Sequence, residues 1–177
     1  MSGLVSTLVL GGARSGKSAF AEQLIDRSNL TRIYLATATA GDDEMGRRIA
    51  QHRARRGEGW TTVEEPLALV DTLTREAVRG RAVLVDCLTL WLSNIMHAER
   101  DPEIEARRLA RFLGVAKYPI VFVSNEVGMG LVPETPLGRA FRDAQGRLNQ
   151  IVAAAVPQVA FIAAGLPLWL KRPSQEF

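Results

Sequence analysis

The sequence predicts an α/β domain built on a mostly parallel sheet with helices on both faces, and three observations carry that expectation. Short apolar, β-rich runs alternate along the chain with segments of helical spacing, the order that parallel strands with crossover helices require. One such run, Leu4 to Leu10 (LVSTLVL), leads directly into Gly11-Gly12-Ala13-Arg14-Ser15-Gly16-Lys17-Ser18, which fits the phosphate-loop template G-x-x-x-x-G-K-[ST]. A helix-compatible stretch from Ser15 to Asp26 follows, with Phe20, Leu24 and Ile25 on one side, so strand, loop and helix come in the order the motif needs.

The remaining elements read in sequence. Thr31 to Thr37 (TRIYLAT) is a second strand. Asp42 to Arg56 has helical spacing, with Asp42, Asp43 and Glu44 in the first turn, where carboxylates complement the helix dipole, and Gly57 and Gly59 end it. Trp60 to Glu64 (WTTVE) is a short strand, and Pro66 opens a helix running to about Val78. Ala82 to Asp86 (AVLVD) is an apolar strand ending in a carboxylate. Leu88 to Ala98 and Pro102 to Leu113 read as helices, Pro119 to Ser124 (PIVFVS) as a strand, and Leu137 to Val156 as a long helix stopped by Pro157. Gln158 to Ala164 and Leu166 to Lys171 complete the strands. No repeat, low-complexity segment or linker interrupts this order, so residues 1–177 are expected to form one domain. Ligands of such sheets lie beyond the carboxyl ends of the strands, here Gly11, Thr37, Asp86 and Asn125.

Composition narrows the function classes. A chain of 177 residues, 47% hydrophobic and 23% charged, can bury a core without disulfides or structural metals. The net charge of +3 is locally concentrated: Arg47, Arg48, Arg53, Arg55 and Arg56 fall within ten residues. With a phosphate loop in the same chain, that cluster points to a polyphosphate ligand. No second basic patch with interleaved aromatics is present, so nucleic acid is not an expected partner. The single cysteine, Cys87, has no metal-ligand spacing around it and fits a reducing cytoplasm. The first apolar run has no basic region before it and ends in the phosphate loop, unlike a signal peptide. The apolar stretch Val159 to Leu170 contains Pro167 and is too short for a bilayer span.

The chemistry expected of the loop follows from its residues. Its glycines let successive backbone N–H groups converge on one anion, Lys17 can reach the β- and γ-phosphates, and the Ser18 hydroxyl can ligate Mg²⁺. The implied ligand is a nucleoside triphosphate with Mg²⁺. Asp86, at a strand end, either holds that ion with Ser18 or caps the helix starting at Leu88.

His52 lies on one helical stripe with Met45, Ile49 and Arg56, flanked by Arg48, Arg53 and Arg55. Repulsion from guanidinium groups favours its neutral, nucleophilic form, which can attack phosphorus. The competing reading is a partly packed histidine on a basic helix. His97 has no such company and no assigned role. Thr37, Ala38 and Thr39 offer small polar surface at the sheet edge, or form a plain turn. Glu64 or Glu65 could accept hydrogen bonds from a sugar or base, or be solvated. Asn125 to Gly130 is a loop suited to close ligand approach or to a flexible turn. Most of Arg139, Arg142, Asp143, Arg147, Asn149 and Gln150 are expected on a solvated helix face.

Five blocks together resemble the bifunctional adenosylcobinamide kinase / adenosylcobinamide-phosphate guanylyltransferase family of cobalamin biosynthesis. They are Gly11 to Ser18 (GGARSGKS), Ala36 to Met45 (ATATAGDDEM), Arg48 to Arg56 (RIAQHRARR), Asn125 to Pro133 (NEVGMGLVP) and Phe141 to Gln150 (FRDAQGRLNQ). The resemblance implies a RecA-like phosphate-loop fold and two reactions. ATP or GTP phosphorylates adenosylcobinamide, and GTP then guanylylates adenosylcobinamide phosphate, with a guanylylated histidine between. That histidine corresponds to His52, with Lys17 as the other catalytic residue. The implied nucleotide contacts are Gly11, Gly12, Ala13, Arg14, Ser15, Gly16, Lys17 and Ser18, then Ala36, Thr37, Ala38, Arg53, Ala54, Arg55, Arg56, Glu64 and Asp86. Ser18 and Asp86 are the implied Mg²⁺ ligands. Asp86 stands where family members often carry glutamate. The resemblance also implies a homotrimer with sites between neighbouring subunits.

Overall fold

In the structure, a computed structural model, residues 3–39 and 58–172 are described. The helix expected over Asp42 to Arg56 lies outside them, as do His52 and the arginines around it.

The described residues form seven strands and five helices. The strands are β1 (Thr7–Gly11), β2 (Thr31–Ala36), β3 (Trp60–Glu64), β4 (Arg81–Asp86), β5 (Ile120–Asn125), β6 (Gln158–Ala163) and β7 (Leu166–Lys171). The helices are α1 (Lys17–Asp26), α2 (Leu69–Glu76), α3 (Leu88–His97), α4 (Pro102–Leu113) and α5 (Pro136–Ala155). The sheet order is β3-β2-β4-β5-β1-β6-β7, with β1 to β6 parallel and β7 antiparallel to β6. The central strands are buried on both faces, and their side chains alternate between two cores. One face places Leu8, Leu10, Leu35, Val83, Val85 and Phe122 against α2, α3, α4 and α5. The other places Val9, Leu84, Val121, Val123 and Ile162 against Ala21 and Ile25 of α1. Helices thus cover both faces. No described helix is long and apolar enough to cross a membrane.

Local chemistry sets most element ends. Asp101 caps α4: its Oδ1 accepts from the Glu103 and Ile104 amides at 2.7 and 3.2 Å, and Pro102 occupies the first helical position. Thr135 and Pro136 repeat that arrangement at α5. Where the ends differ from expectation, a side chain has captured backbone groups. Helix α2 starts at Leu69 rather than Pro66 because Glu65 Oε1 accepts from the Leu67 and Ala68 amides, at 2.9 and 2.7 Å, and holds them in a turn. Strand β2 stops at Ala36 because Thr37 Oγ1 is bonded to the backbone of Cys87. Helix α1 starts at Lys17, since Gly16 has φ +96°. Strand β1 starts at Thr7, not Leu4.

Candidate active site

Parallel strands that all end on one edge bring the polar termini together. Gly11 of β1, Ala36 of β2, Asp86 of β4 and Asn125 of β5 mark that edge, and α1 begins just above it. Gly11 pairs with Asn125 across the β1–β5 ladder, and Ala36 pairs with Asp86 across β2–β4. The loop from Gly12 to Gly16 bridges β1 and α1. Arg14 at φ +57° and Gly16 at φ +96° both adopt the left-handed region, the backbone geometry that turns consecutive N–H groups toward one side. Helix α1 has neither a side-chain cap nor an acidic residue in its first turn, so its positive end is left for an external anion.

The loop is braced from the β6–β7 flank of the sheet, beside β1. The turn joining β6 and β7 has positive φ at Ala164 (+51°) and Gly165 (+79°), and the Gly165 amide donates to the Ser15 carbonyl at 2.8 Å. Gly11 is required by packing: a Cβ there would lie 2.5 Å from Ser15 Oγ and 2.6 Å from the Ile162 carbonyl oxygen. The latter is backbone in a central strand and cannot move aside. Gly11→Ala is therefore expected to cost about 1–3 kcal/mol, as overpacking does, and to weaken nucleotide binding by displacing the loop. Thermal denaturation and a nucleotide titration check this; an unchanged affinity would show that the loop accommodates the methyl group.

Lys17 is only 9% exposed, and its Nζ donates to the Gly12 carbonyl at 2.9 Å. Burial pulls its pKa below the ordinary 10.5, while neighbouring Cys87 and Asp86 act in the opposite direction. Lys17, Asp86 and Cys87 therefore share one electrostatic neighbourhood. Asp86 Oδ2 accepts from the Tyr34 hydroxyl at 3.2 Å. The capping alternative for Asp86 does not hold: the residue before α3 is Cys87, and no side chain caps that helix. The Cys87 thiol is pushed up to about 12 by burial, with the Asp86 charge adding to the shift, so it stays protonated at neutral pH.

The other expected contacts separate into distinct jobs. Thr37 has no exposed surface. Its hydroxyl donates to the Cys87 carbonyl at 2.7 Å and accepts from the Cys87 amide at 2.8 Å. Asn94 Nδ2 donates to the Thr37 carbonyl at 2.8 Å and to the Pro66 carbonyl at 3.1 Å. Thr37 thus clamps the ends of β2 and β4 together; Ala36 is buried in the core, and Ala38 and Thr39 carry the accessible surface there. Of the two glutamates at the end of β3, Glu65, just beyond it, is consumed by the start of α2, whereas Glu64, its last residue, is exposed. Arg53, Ala54, Arg55 and Arg56 lie outside the described residues.

A buried polar cluster at the end of β5 escaped the sequence reading. Gln145 Nε2 donates to Ser124 Oγ and to Asn149 Oδ1, both at 3.0 Å, and Ser124 Oγ donates to Asn149 Oδ1 at 2.7 Å. Asn149 Nδ2 then donates to the Asn125 carbonyl at 3.1 Å. A signal was present: Gln145, Leu148, Asn149, Val152 and Val156 are spaced i, i+3, i+4, i+7 and i+11, which puts the two amides on the apolar stripe of the helix.

A mostly parallel sheet, a phosphate loop backed by a buried lysine, and a carboxylate two strands away define a phosphate-loop protein for nucleoside triphosphates with a RecA-like core. Solved structures agree on the fold. An ATPase of a bacterial type III secretion system superposes with TM-score 0.59 at 11% identity, covering 93% of this chain and 56% of that one. The RadB recombinase superposes with TM-score 0.50 at 15% identity, covering 89% and 73%. The chain itself belongs to the cobinamide kinase / cobinamide phosphate guanyltransferase family, whose profile matches residues 7–170. It is 52% identical to the bifunctional adenosylcobalamin biosynthesis protein CobP of Pseudomonas aeruginosa over 166 residues, covering 93% of this chain and 96% of that protein. It is 38% identical to CobU of Escherichia coli, named likewise, over 179 residues, covering 93% and 98%.

Proposed function

We propose that this chain carries out both reactions of its family: transfer of the γ-phosphate of ATP or GTP to adenosylcobinamide, then transfer of GMP from GTP to adenosylcobinamide phosphate. The supporting observation is a ready phosphate loop facing Lys17 and Asp86, in a chain that matches the family over residues 7–170.

In the first reaction the substrate hydroxyl oxygen bonds to the γ-phosphorus. The β–γ bridging bond breaks, the nucleoside diphosphate leaves with the electron pair, and the hydroxyl proton passes to solvent. In the second, an imidazole nitrogen of His52 bonds to the α-phosphorus of GTP and pyrophosphate leaves. A phosphate oxygen of adenosylcobinamide phosphate then bonds to the same phosphorus, breaking the P–N bond and releasing His52 and adenosylcobinamide-GDP. Loop amides, Lys17 and Arg53, Arg55 and Arg56 would bear the negative charge that moves in each step.

The residues present suit Mg²⁺. Such ions take one or two carboxylates beside phosphate oxygens and water, so a cluster of three acids is not needed, and none occurs among the described residues. Asp86 Oδ2 has one hydrogen bond, from Tyr34, which leaves Oδ1 available, and Ser18 opens α1 beside Lys17. Bound there, Mg²⁺ would neutralise charge on the β- and γ-phosphate oxygens. A cytoplasmic homotrimer with sites between neighbouring subunits belongs to the same proposal.

Doubly labelled GTP provides the test. With adenosylcobinamide as acceptor, label from the γ-phosphate is expected first in adenosylcobinamide phosphate, and label from the α-phosphate later in adenosylcobinamide-GDP. Transfer of γ-label alone would identify a simple small-molecule kinase instead.

A further inference from the structure

We propose that the side-chain amide of Asn125 contacts the terminal phosphate of the bound triphosphate, and so serves the kinase reaction rather than guanylyl transfer. The assignment of that phosphate to a kinase step rests on the function proposed above; the contact itself does not.

Position is the first argument. Strand β5 lies between β1, which leads into the phosphate loop, and β4, which ends in Asp86. Asn125 pairs with Gly11, and Asp86 pairs with Val123 two residues earlier on β5. Alternate strand residues share a face, and Val121 and Val123 lie in the core beneath α1 together with Val9 and Leu84. Asn125 and Asp86 continue those two rows past the edge of that core, on the side where α1 begins with Lys17. Asn125 therefore stands one strand from the loop and one strand from the acid, at the strand edge between the two groups that would hold the terminal phosphate.

Satisfaction of its neighbours is the second argument. The Asn125 backbone is pinned from two helices. Its amide donates to Thr89 Oγ1 on α3 at 2.8 Å, and its carbonyl accepts from Asn149 Nδ2 on α5 at 3.1 Å. The next amide, Glu126 N–H, donates to the Gly11 carbonyl at 3.1 Å. Ser124 Oγ, Gln145 Nε2 and both polar atoms of the Asn149 amide are engaged in holding this strand end, while Gln145 Oε1 is buried without a partner among the described residues. The Asn125 side-chain amide, half-buried and on the opposite face of the strand from Ser124, makes no hydrogen bond among the described residues. A fixed backbone with an uncommitted donor and acceptor is what pre-organised phosphate recognition needs, because no reorganisation is required when charge builds on the γ-oxygens.

Chemistry selects the phosphate. A neutral amide adds a donor without adding charge between the Lys17 ammonium and the Asp86 carboxylate. The reacting centre of guanylyl transfer is the α-phosphorus, two phosphates further back along the chain, and is served by His52.

Titration of the full-length protein with GDP and with GTPγS, each with Mg²⁺, tests the contact. Asn125→Ala is expected to weaken GTPγS binding about tenfold or more while leaving GDP within about twofold. Its kinase kcat should fall on the order of 10²-fold, with formation of the GMP–protein adduct at saturating GTP changed by less than about threefold. Asn125→Asp, nearly isosteric and able to keep both backbone bonds, should show the same selective loss through repulsion of the phosphate, which guards against a folding artefact in the alanine variant. Equal weakening of GDP and GTPγS, or unchanged affinity for both, overturns the proposal. Because the GDP-to-GTPγS comparison needs no turnover, it reads the contact even if no kinase activity toward adenosylcobinamide is found, an outcome that would count against the function proposed above alone.

Discussion

Replacing His52 with alanine is expected to abolish labelling of the protein by α-labelled GTP and to slow GMP transfer by about 10⁴-fold or more, while γ-phosphate transfer to adenosylcobinamide stays within a few-fold. The asymmetry follows from the division of labour. The groups proposed for γ-transfer do not include His52: the loop, Lys17 beside the Gly12 carbonyl, Asp86 at the end of β4, and Asn125 at the end of β5. Guanylyl transfer instead needs a nucleophile for the α-phosphorus, and no other histidine qualifies. His97 ends α3, and its Nδ1 lies 2.7 Å from the Ser93 carbonyl oxygen of its own helix, away from the strand edge. A phosphoramidate is acid-labile and base-stable, which gives the label a chemical signature on a denaturing gel. Persistence of an adduct with that stability in the His52→Ala protein would remove His52 from the mechanism.

The fold was legible in the sequence because its two periodicities do not overlap. Strands such as AVLVD and PIVFVS are apolar up to their last residue, as central parallel strands must be, and the helices show an apolar stripe every three or four residues. Element ends were less legible because they depend on distant side chains. Nothing local to Thr37 says that its hydroxyl will be spent on Cys87, fifty positions along the chain, and at Pro66 the choice of Glu65 to hold the next two amides competes with the helix signal of the proline itself. The phosphate loop could be read because its chemistry is contiguous. The support beneath it could not: the Gly165-to-Ser15 hydrogen bond and the Asn149-to-Asn125 hydrogen bond join residues that only the sheet order brings together. Polar character misled at α5, where Asn149, grouped with the solvated face, is buried by phase.

Substitution of Lys17 by methionine is expected to reduce both reactions by about 10²–10³-fold, since each loses a cation placed against the transferring or departing phosphates. The same substitution should make the empty protein more stable. Lys17 is nearly enclosed, and burial sets its pKa below the ordinary 10.5 despite the attraction of Cys87 and Asp86. A lysine whose pKa is lower folded than unfolded binds fewer protons in the folded state within that window. Stability therefore rises with pH between the folded value and 10.5, and below the folded value the whole cost of the buried ammonium is present. Methionine fills similar volume without the charge. The empty Lys17→Met protein is thus expected to melt higher than the parent at neutral pH, with the gap closing as the pH approaches 10.5. Nucleotide reverses the order: GTP should raise the melting temperature of the parent and leave the variant almost unmoved, because binding stabilises only in proportion to affinity. Melting curves of both proteins across pH, with and without GTP, measure all three effects. A lower melting temperature for the empty variant would mean that the Lys17 bond to the Gly12 carbonyl, at 2.9 Å, outweighs the cost of burying its charge. The expected result instead makes Lys17 a site where the protein gives up stability to hold a cation ready for phosphate.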